Sequence, residues 1–309
     1  MKENFFRAFI TAFVGFLTSN IVYAATPVNS TGARPYAIYG DDNRQEVFAA
    51  PAFWQELSRS IAGKVSMEHI SQGGGGIQLI GSPLSKKSCP TNRFADQITV
   101  PSCTGFLVKE NILITAAHCM KASVDCANFV WVFGYNLQNE SDKGYTRVAN
   151  NQVYRCKQVL SRRYEDFGAV DYTIIELDRP VIDRPSLKLG FETPVDPGTP
   201  LATLGYPSGL PMKLTDGAAI IGLSEENRTI ESNLDVFQGN SGSPVFDAAT
   251  GSVIAIISRG HADHTRDPEK LCKLNKICMP GDNCHWSSSS RVTNMKDEPS
   301  LKFAIGTKD

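Results

Sequence analysis

Charge of one dominant sign is missing from this sequence. Its 31 lysines and arginines stand against 32 aspartates and glutamates, a net charge of −1, with no basic stripe and no run of like charge. A nucleic-acid surface needs positive charge gathered on one face, so that class of partner is set aside. No acidic or low-complexity tract suggests long disorder. Beyond residue 25 there is no second long apolar run, so the mature chain is expected to be soluble, with no membrane anchor. Eight cysteines are present but no C-x-x-C pair. That weakens a zinc reading of Cys272, Cys278, Cys284 and His285, with His261 and His264 upstream. What the sequence does have is apolar material: 309 residues at 41% hydrophobic composition can bury a sizeable core, in one domain or two lobes.

Export is written at the N-terminus. Met1-Lys2-Glu3-Asn4-Phe5-Phe6-Arg7 leads into an apolar run from Ala8 to Leu17, and Val22-Tyr23-Ala24 offers small residues for a signal peptidase. We read residues 1–24 as a signal peptide cleaved after Ala24. An uncleaved anchor is the weaker alternative, because the run is short for a bilayer. An even number of cysteines in an exported chain reads as disulfides.

Residues 25–50 are polar and read as a propeptide or an N-terminal arm. From Pro51, the positions Phe53, Trp54, Leu57 and Ile61 fit one face of a short helix. Strand-like alternation follows over Ile61–Met67, and Gly73–Gly76 breaks the chain before a strand at Ile77–Ile80. Apolar runs then recur at Thr104–Val108, Ile112–Thr115, Phe129–Phe133, Val170–Leu177, Leu201–Leu204, Ala218–Leu223, Pro244–Phe246 and Ser252–Ser258, with Gly, Pro and Asp between them. This is the punctuation of an all-β protein, a barrel pair or a sandwich. Asp178–Pro200 carries five prolines and no helical period, and reads as the connection between two lobes, about 60–185 and about 195–300.

Three segments carry chemistry. Gly239-Asn240-Ser241-Gly242-Ser243-Pro244 sets a serine between glycines that permit a tight turn, which can hold a hydroxyl outward and aim amides at one point. By itself it could equally be a hairpin turn. Thr115-Ala116-Ala117-His118-Cys119 puts a histidine after an apolar strand, and Cys103 and Cys119 lie on strands that a short turn brings side by side. A disulfide between them would pin the segment that carries His118. Val170-Asp171-Tyr172-Thr173 sets a carboxylate at the mouth of an apolar strand, where a buried charge needs a partner such as an imidazole N–H. A turn-forming aspartate is the plain alternative, and Asp166 and Asp178 are more solvated rivals.

These three segments, in this order, resemble the motifs of chymotrypsin-like serine endopeptidases, as does Ser102-Cys103-Thr104-Gly105-Phe106-Leu107-Val108. The resemblance runs from about Thr99 to about Gly260, with an echo at Ser290–Thr293. Asn240, Ser243-Pro244, Leu204–Pro207 and Gly40–Arg44 are similar to the bacterial branch that includes the glutamyl endopeptidases. The resemblance implies two antiparallel six-stranded β-barrels with the active site in the cleft between them, and a peptidase domain over 51–309. It further implies Ser241 as nucleophile, His118 as general base and Asp171 as its orienting carboxylate. The Gly239 and Ser241 amides would form the oxyanion hole, with no metal or organic cofactor. The expected product is a secreted or periplasmic bacterial enzyme, monomeric, acting on proteins or peptides. A catalytically silent binding protein on the same fold is the alternative.

The sequence also departs from the pattern. Where the vertebrate-type enzymes carry an aspartate that captures the new N-terminus, this chain has Asn240. Asp235, six residues before Ser241, is a candidate for the substrate pocket with Ser258 and Gly260, and would select Arg or Lys. A structural aspartate is the competing reading. Ile257 stands where the glutamyl branch has a histidine, which argues against strict Glu preference, while Arg259 could favour acidic subsites. Cys126 and Cys156 are expected to pair across the first lobe. Cys89, Cys272, Cys278 and Cys284 leave three connectivities open.

Overall fold

The computed structural model describes residues 34–306 apart from 36, 74, 122–123, 143–146, 225, 261 and 280. The expected signal peptide and the residues up to 33 lie outside this range. Among the described residues no helix is long and apolar enough to cross a membrane.

Thirteen strands set the architecture. The first, β1 (Arg44–Glu46), belongs to the N-terminal arm. The first barrel uses β2 (Ile61–Ser66), β3 (Cys103–Lys109), β4 (Ile112–Thr115), β5 (Phe129–Phe133), β6 (Val153–Glu165) and β7 (Val170–Leu177). It closes in the order β4-β7-β6-β5-β2-β3. The second uses β8 (Pro200–Gly205), β9 (Lys213–Leu223), β10 (Thr229–Ser232), β11 (Pro244–Asp247), β12 (Val253–Arg259) and β13 (Ser287–Arg291). Its order is β8-β11-β12-β13-β10-β9, and the β8–β9 pairing closes it. These are the two antiparallel six-stranded barrels expected of the fold. Closure pairs the edge strands of each barrel, and β1 adds to β9 of the second from outside.

The alternation seen in the sequence fills each barrel. Leu107, Leu113, Trp131, Phe133, Ile175 and Leu177 share one core, and Leu201, Ile220, Ile230, Val245, Ile254 and Ile257 another. The short helix runs Ala52–Ser58. Ile61, expected on its face, instead opens β2. Trp54 is buried against Phe246, with ring centroids 5.4 Å apart. Between β7 and β8 the chain forms no regular strand, in keeping with a connection between lobes.

The arm is built into the second barrel. Beyond the β1–β9 ladder, Ile38–Tyr39 pairs in parallel with Ile277–Cys278. Lys213, at the start of β9, is fully buried and donates to Glu46 Oε2 (3.0 Å), Gln97 Oε1 (2.8 Å) and the Pro211 carbonyl (2.9 Å). All three ammonium protons are therefore satisfied, and burial lowers this lysine to about 8. The cysteines form Cys103–Cys119 and Cys126–Cys156, as expected, with Cys89–Cys272 and Cys278–Cys284. The sulfurs weighed for zinc are all consumed in these bonds.

Candidate active site

The segment after β4 turns tightly over Ala117–Cys119, and this turn carries His118. Two carbonyls of the turn and that of Met120, just after it, are held from outside. Arg162 Nε donates to Ala117 O (3.1 Å) and Met120 O (2.6 Å), and the buried Lys64 ammonium donates to Cys119 O. The Cys103–Cys119 disulfide ties the same turn to β3. The histidine backbone is thus fixed by two cations and a covalent link, and little freedom is left to lose when a substrate arrives.

Asp171 lies one residue into β7 with none of its surface exposed. Its Oδ2 is 2.7 Å from His118 Nδ1, and its Oδ1 accepts the His118 backbone N–H at 3.1 Å. Ser258 Oγ lies 2.7 Å from the same Oδ2 and 2.9 Å from the Gly168 carbonyl, so its one proton serves one or the other. The buried carboxylate has the partners its burial demands, and the imidazole is left with Nε2 as its second nitrogen.

The Gly239–Ser243 turn needs its glycines. Gly239 has φ +102°, and an added Cβ would sit 2.3 Å from the Tyr206 carbonyl. Gly242 has φ +86°, with the Thr104 carbonyl 2.1 Å from where a Cβ would be. The first barrel grips this turn: Thr104 N–H donates to Ser241 O (2.8 Å) and Thr104 Oγ1 to Gly239 O (2.8 Å). The Gln238 carbonyl accepts Ser208 N–H at 2.6 Å, which turns the 238–239 peptide so that its carbonyl is drawn toward the 207–209 turn. Among the described residues, no hydrogen bond consumes the Gly239 and Ser241 amides. Two amides free beside a serine are the arrangement that can take up negative charge on a carbonyl oxygen.

An open cavity of about 800 Å³ lies at this place, lined by His118, Ser241, Ser258, Gly260, Asp263 and His264 among others. His118, Asp171, Ser241, Ser258 and Gly260 are thus brought together as the sequence suggested. Asp235 is not. It is buried behind the wall, and both its oxygens accept amides of the arm: Tyr39 N–H at Oδ1 and Asn43 N–H at Oδ2, each 2.8 Å. Burial pushes its carboxyl up to about 6.

The carboxylate that does reach the cavity is Asp263, which sequence reasoning missed. It lies in the segment between β12 and β13, where no motif flags it. Gln238 N–H donates to its Oδ2 at 2.7 Å, and its Oδ1 sits 4.0 Å from where a Gly260 Cβ would be. It therefore spans the two walls flanking the serine. Burial pushes it, too, up to about 6. Lys121, Arg162 and Tyr164 line the His118 side, and Arg259 also reaches the cavity.

Two closed antiparallel six-stranded barrels define a chymotrypsin-like fold, and on it a histidine paired with a buried aspartate lines one cavity with a serine. Residues 103–256, just under half of the chain, match the family described as trypsin-like peptidase domain. No curated protein matches the sequence significantly. Among solved structures, the chain is similar to the Vibrio cholerae VesB protease, at 18% identity and a TM-score of 0.50. That likeness covers 82% of this chain and 65% of VesB, so the chain spans less than two thirds of that protein's length. A Glu endopeptidase in complex with MPD is similar at 16% identity and a TM-score of 0.47, covering 88% of this chain and 100% of that one. At these identities the likeness concerns the fold.

Proposed function

We propose that this protein is a secreted serine endopeptidase. The observation that carries the reading is the fully buried Asp171 carboxylate, 2.7 Å from Nδ1 of a histidine that lines one cavity with Ser241. In this reading Asp171 keeps the Nδ1 proton in place, so Nε2 is the basic nitrogen. Nε2 accepts the Ser241 hydroxyl proton as Oγ attacks the scissile carbonyl, and later gives that proton to the leaving amine. The Gly239 and Ser241 amides hold the oxyanion. The acyl-enzyme on Ser241 is then hydrolysed by water through the same proton relay. No metal or organic cofactor is required by this chemistry. Four disulfides suit an oxidising compartment, and with the N-terminal segment they support export to the periplasm or medium. The purified protein should bind a fluorophosphonate probe once per molecule, on the peptide that contains Ser241, and should cut casein. A correctly processed protein that does neither is a silent binding protein on this fold, and the reading fails.

Asp263 supplies the substrate preference. Its Oδ2 accepts Gln238 N–H, no hydrogen bond among the described residues engages its Oδ1, and Asp263 lines the cavity that holds Ser241; in this reading that cavity takes the side chain before the scissile bond. An Arg or Lys there gains a charge-assisted hydrogen bond, about 1.5–3 kcal/mol or roughly 10- to 150-fold. The carboxyl ionises near 6, so this advantage is present above that pH and is lost as pH falls through it. The ratio of kcat/KM for an Arg substrate to that for its Leu analogue should therefore rise between pH 5 and pH 7 and be flat in Asp263→Asn. Taking the ratio cancels the titration of His118, common to both substrates. A parent ratio near one at pH 8 would remove Asp263 from the pocket.

A further inference from the structure

The arm contacts the serine turn by a route that no part of the proposed mechanism uses. Asp235 binds the Tyr39 and Asn43 amides with its two oxygens, and among the described residues no side chain donates to its carboxylate. If the arm left, a buried carboxylate would lose both its donors, so arm and loop are held as one. Arg44, 1% exposed, forks onto Asp42 through Nε (2.8 Å) and Nη2 (2.6 Å). Its Cζ lies 4.1 Å from the Phe237 ring centroid, a cation–π contact made away from water. Ala37 and Ile38 bury against the same Phe237. The Phe237 backbone in turn exchanges two bonds with Asn240: Phe237 N–H to Asn240 Oδ1 (3.1 Å) and Asn240 N–H to Phe237 O (2.9 Å). Gly239 and Ser241 flank Asn240.

We propose that the arm residues Ala37–Arg44 position the oxyanion turn: clamped by Asp235 and carrying Arg44 beneath Phe237, the docked arm holds the Phe237–Asn240 loop so that the Gly239 and Ser241 amides converge. Asp235 and Arg44 are positioning residues, acting through Phe237 and Asn240 on amides they do not touch. Asn240 removes the aspartate that would capture a new N-terminus, and the internal arm supplies the support from below instead. The inference rests on Ser241 being the nucleophile. Its corollary is that a processing cut N-terminal to Ala37 keeps the device, whereas a cut inside 37–44 removes it.

The test is kcat per active site, with sites counted by fluorophosphonate titration, for the full exported protein and its Asp235→Ala and Arg44→Ala variants. Loosening the turn should lower kcat per titrated site by about 10- to 100-fold, less than the 10²–10³ of losing an oxyanion donor outright, with KM changed by less than about threefold. Affinity for a peptide aldehyde, whose adduct places an oxygen at the two amides, should fall in step with kcat. Simple destabilisation would lower the melting temperature and the number of titratable sites but leave each remaining site as fast as the parent, and that result overturns the proposal. If Asp235→Ala does not fold, Arg44→Met keeps volume beneath Phe237 and the Asp235 clamp intact, and carries the same expectation. A parent that does not titrate at all would refute the peptidase reading instead.

Discussion

Ser241→Ala is expected to lower kcat by about six orders of magnitude, and His118→Ala, alone or combined with it, by about the same amount. The equality is the informative part. Attack by Oγ and transfer of its proton to Nε2 are one event, so removing either partner removes the whole event and the second deletion has nothing left to remove. What survives is acceleration by binding and by the two amides, roughly 10³–10⁴ over water. The serine variant should fold normally, because it is the Ser241 carbonyl, not the hydroxyl, that bonds Thr104 N–H. His118→Ala likewise keeps the backbone bond to Asp171 Oδ1. Steady-state rates for the parent, both single variants and the double variant decide the matter. A double variant slower than either single by a factor of 100 would mean that the two side chains act independently.

Asp171→Asn is expected to cost about 10⁴ in kcat near neutral pH while leaving the fold in place. The structure says which way the new amide must face. The His118 backbone N–H sits 3.1 Å from Oδ1 and needs an acceptor, so the asparagine oxygen takes that place. The NH₂ group then occupies the Oδ2 position, 2.7 Å from Nδ1. Facing a donor, Nδ1 becomes the acceptor and the ring proton moves to Nε2, which can no longer take a proton from Ser241. Ser258 accommodates the change by accepting from the NH₂ and donating to the Gly168 carbonyl. The imidazole NMR resonances of the variant should report the Nε2–H tautomer. An Nδ1–H tautomer together with parental kcat would refute the role assigned to Asp171.

Much of the site could be read in the sequence because its chemistry is local. Ala116-Ala117-His118-Cys119, Val170-Asp171 and Gly239–Pro244 each carry their meaning within a few residues, and apolar runs marked most barrel strands. The strands that escaped lack such runs. The β6 segment, Val153–Glu165, is bent by two irregularities in its pairing with β7 and lies largely at the surface, so its charged residues hide its ladder. The β13 segment is Ser287-Ser288-Ser289-Ser290-Arg291, with three of its serines buried; no hydropathy pattern marks a strand whose inward residues are hydroxyls. Asp235 shows the other limit. Its distance from Ser241 suited a pocket residue, but its partners are Tyr39 and Asn43, nearly 200 positions away in the chain. Asp263 is the converse case, a cavity residue delivered by the segment between β12 and β13, which no local motif announces.

The Cys89–Cys272 bond spans 183 positions and encloses the four cysteines that form Cys103–Cys119 and Cys126–Cys156. A chain that emerges N-terminus first into an oxidising space presents its thiols in the order 89, 103, 119, 126, 156, 272, 278, 284. Pairing each with the next would join Cys89 to Cys103, Cys119 to Cys126 and Cys156 to Cys272, and would be right only for Cys278 and Cys284. The native set is therefore not the one that order of appearance favours. Cys89 must stay reduced until nearly the whole chain has crossed, or be released later from a wrong partner by thiol–disulfide exchange. Correct pairing of Cys89 thus calls either for delayed oxidation of that thiol or for thiol–disulfide exchange after a first, wrong bond.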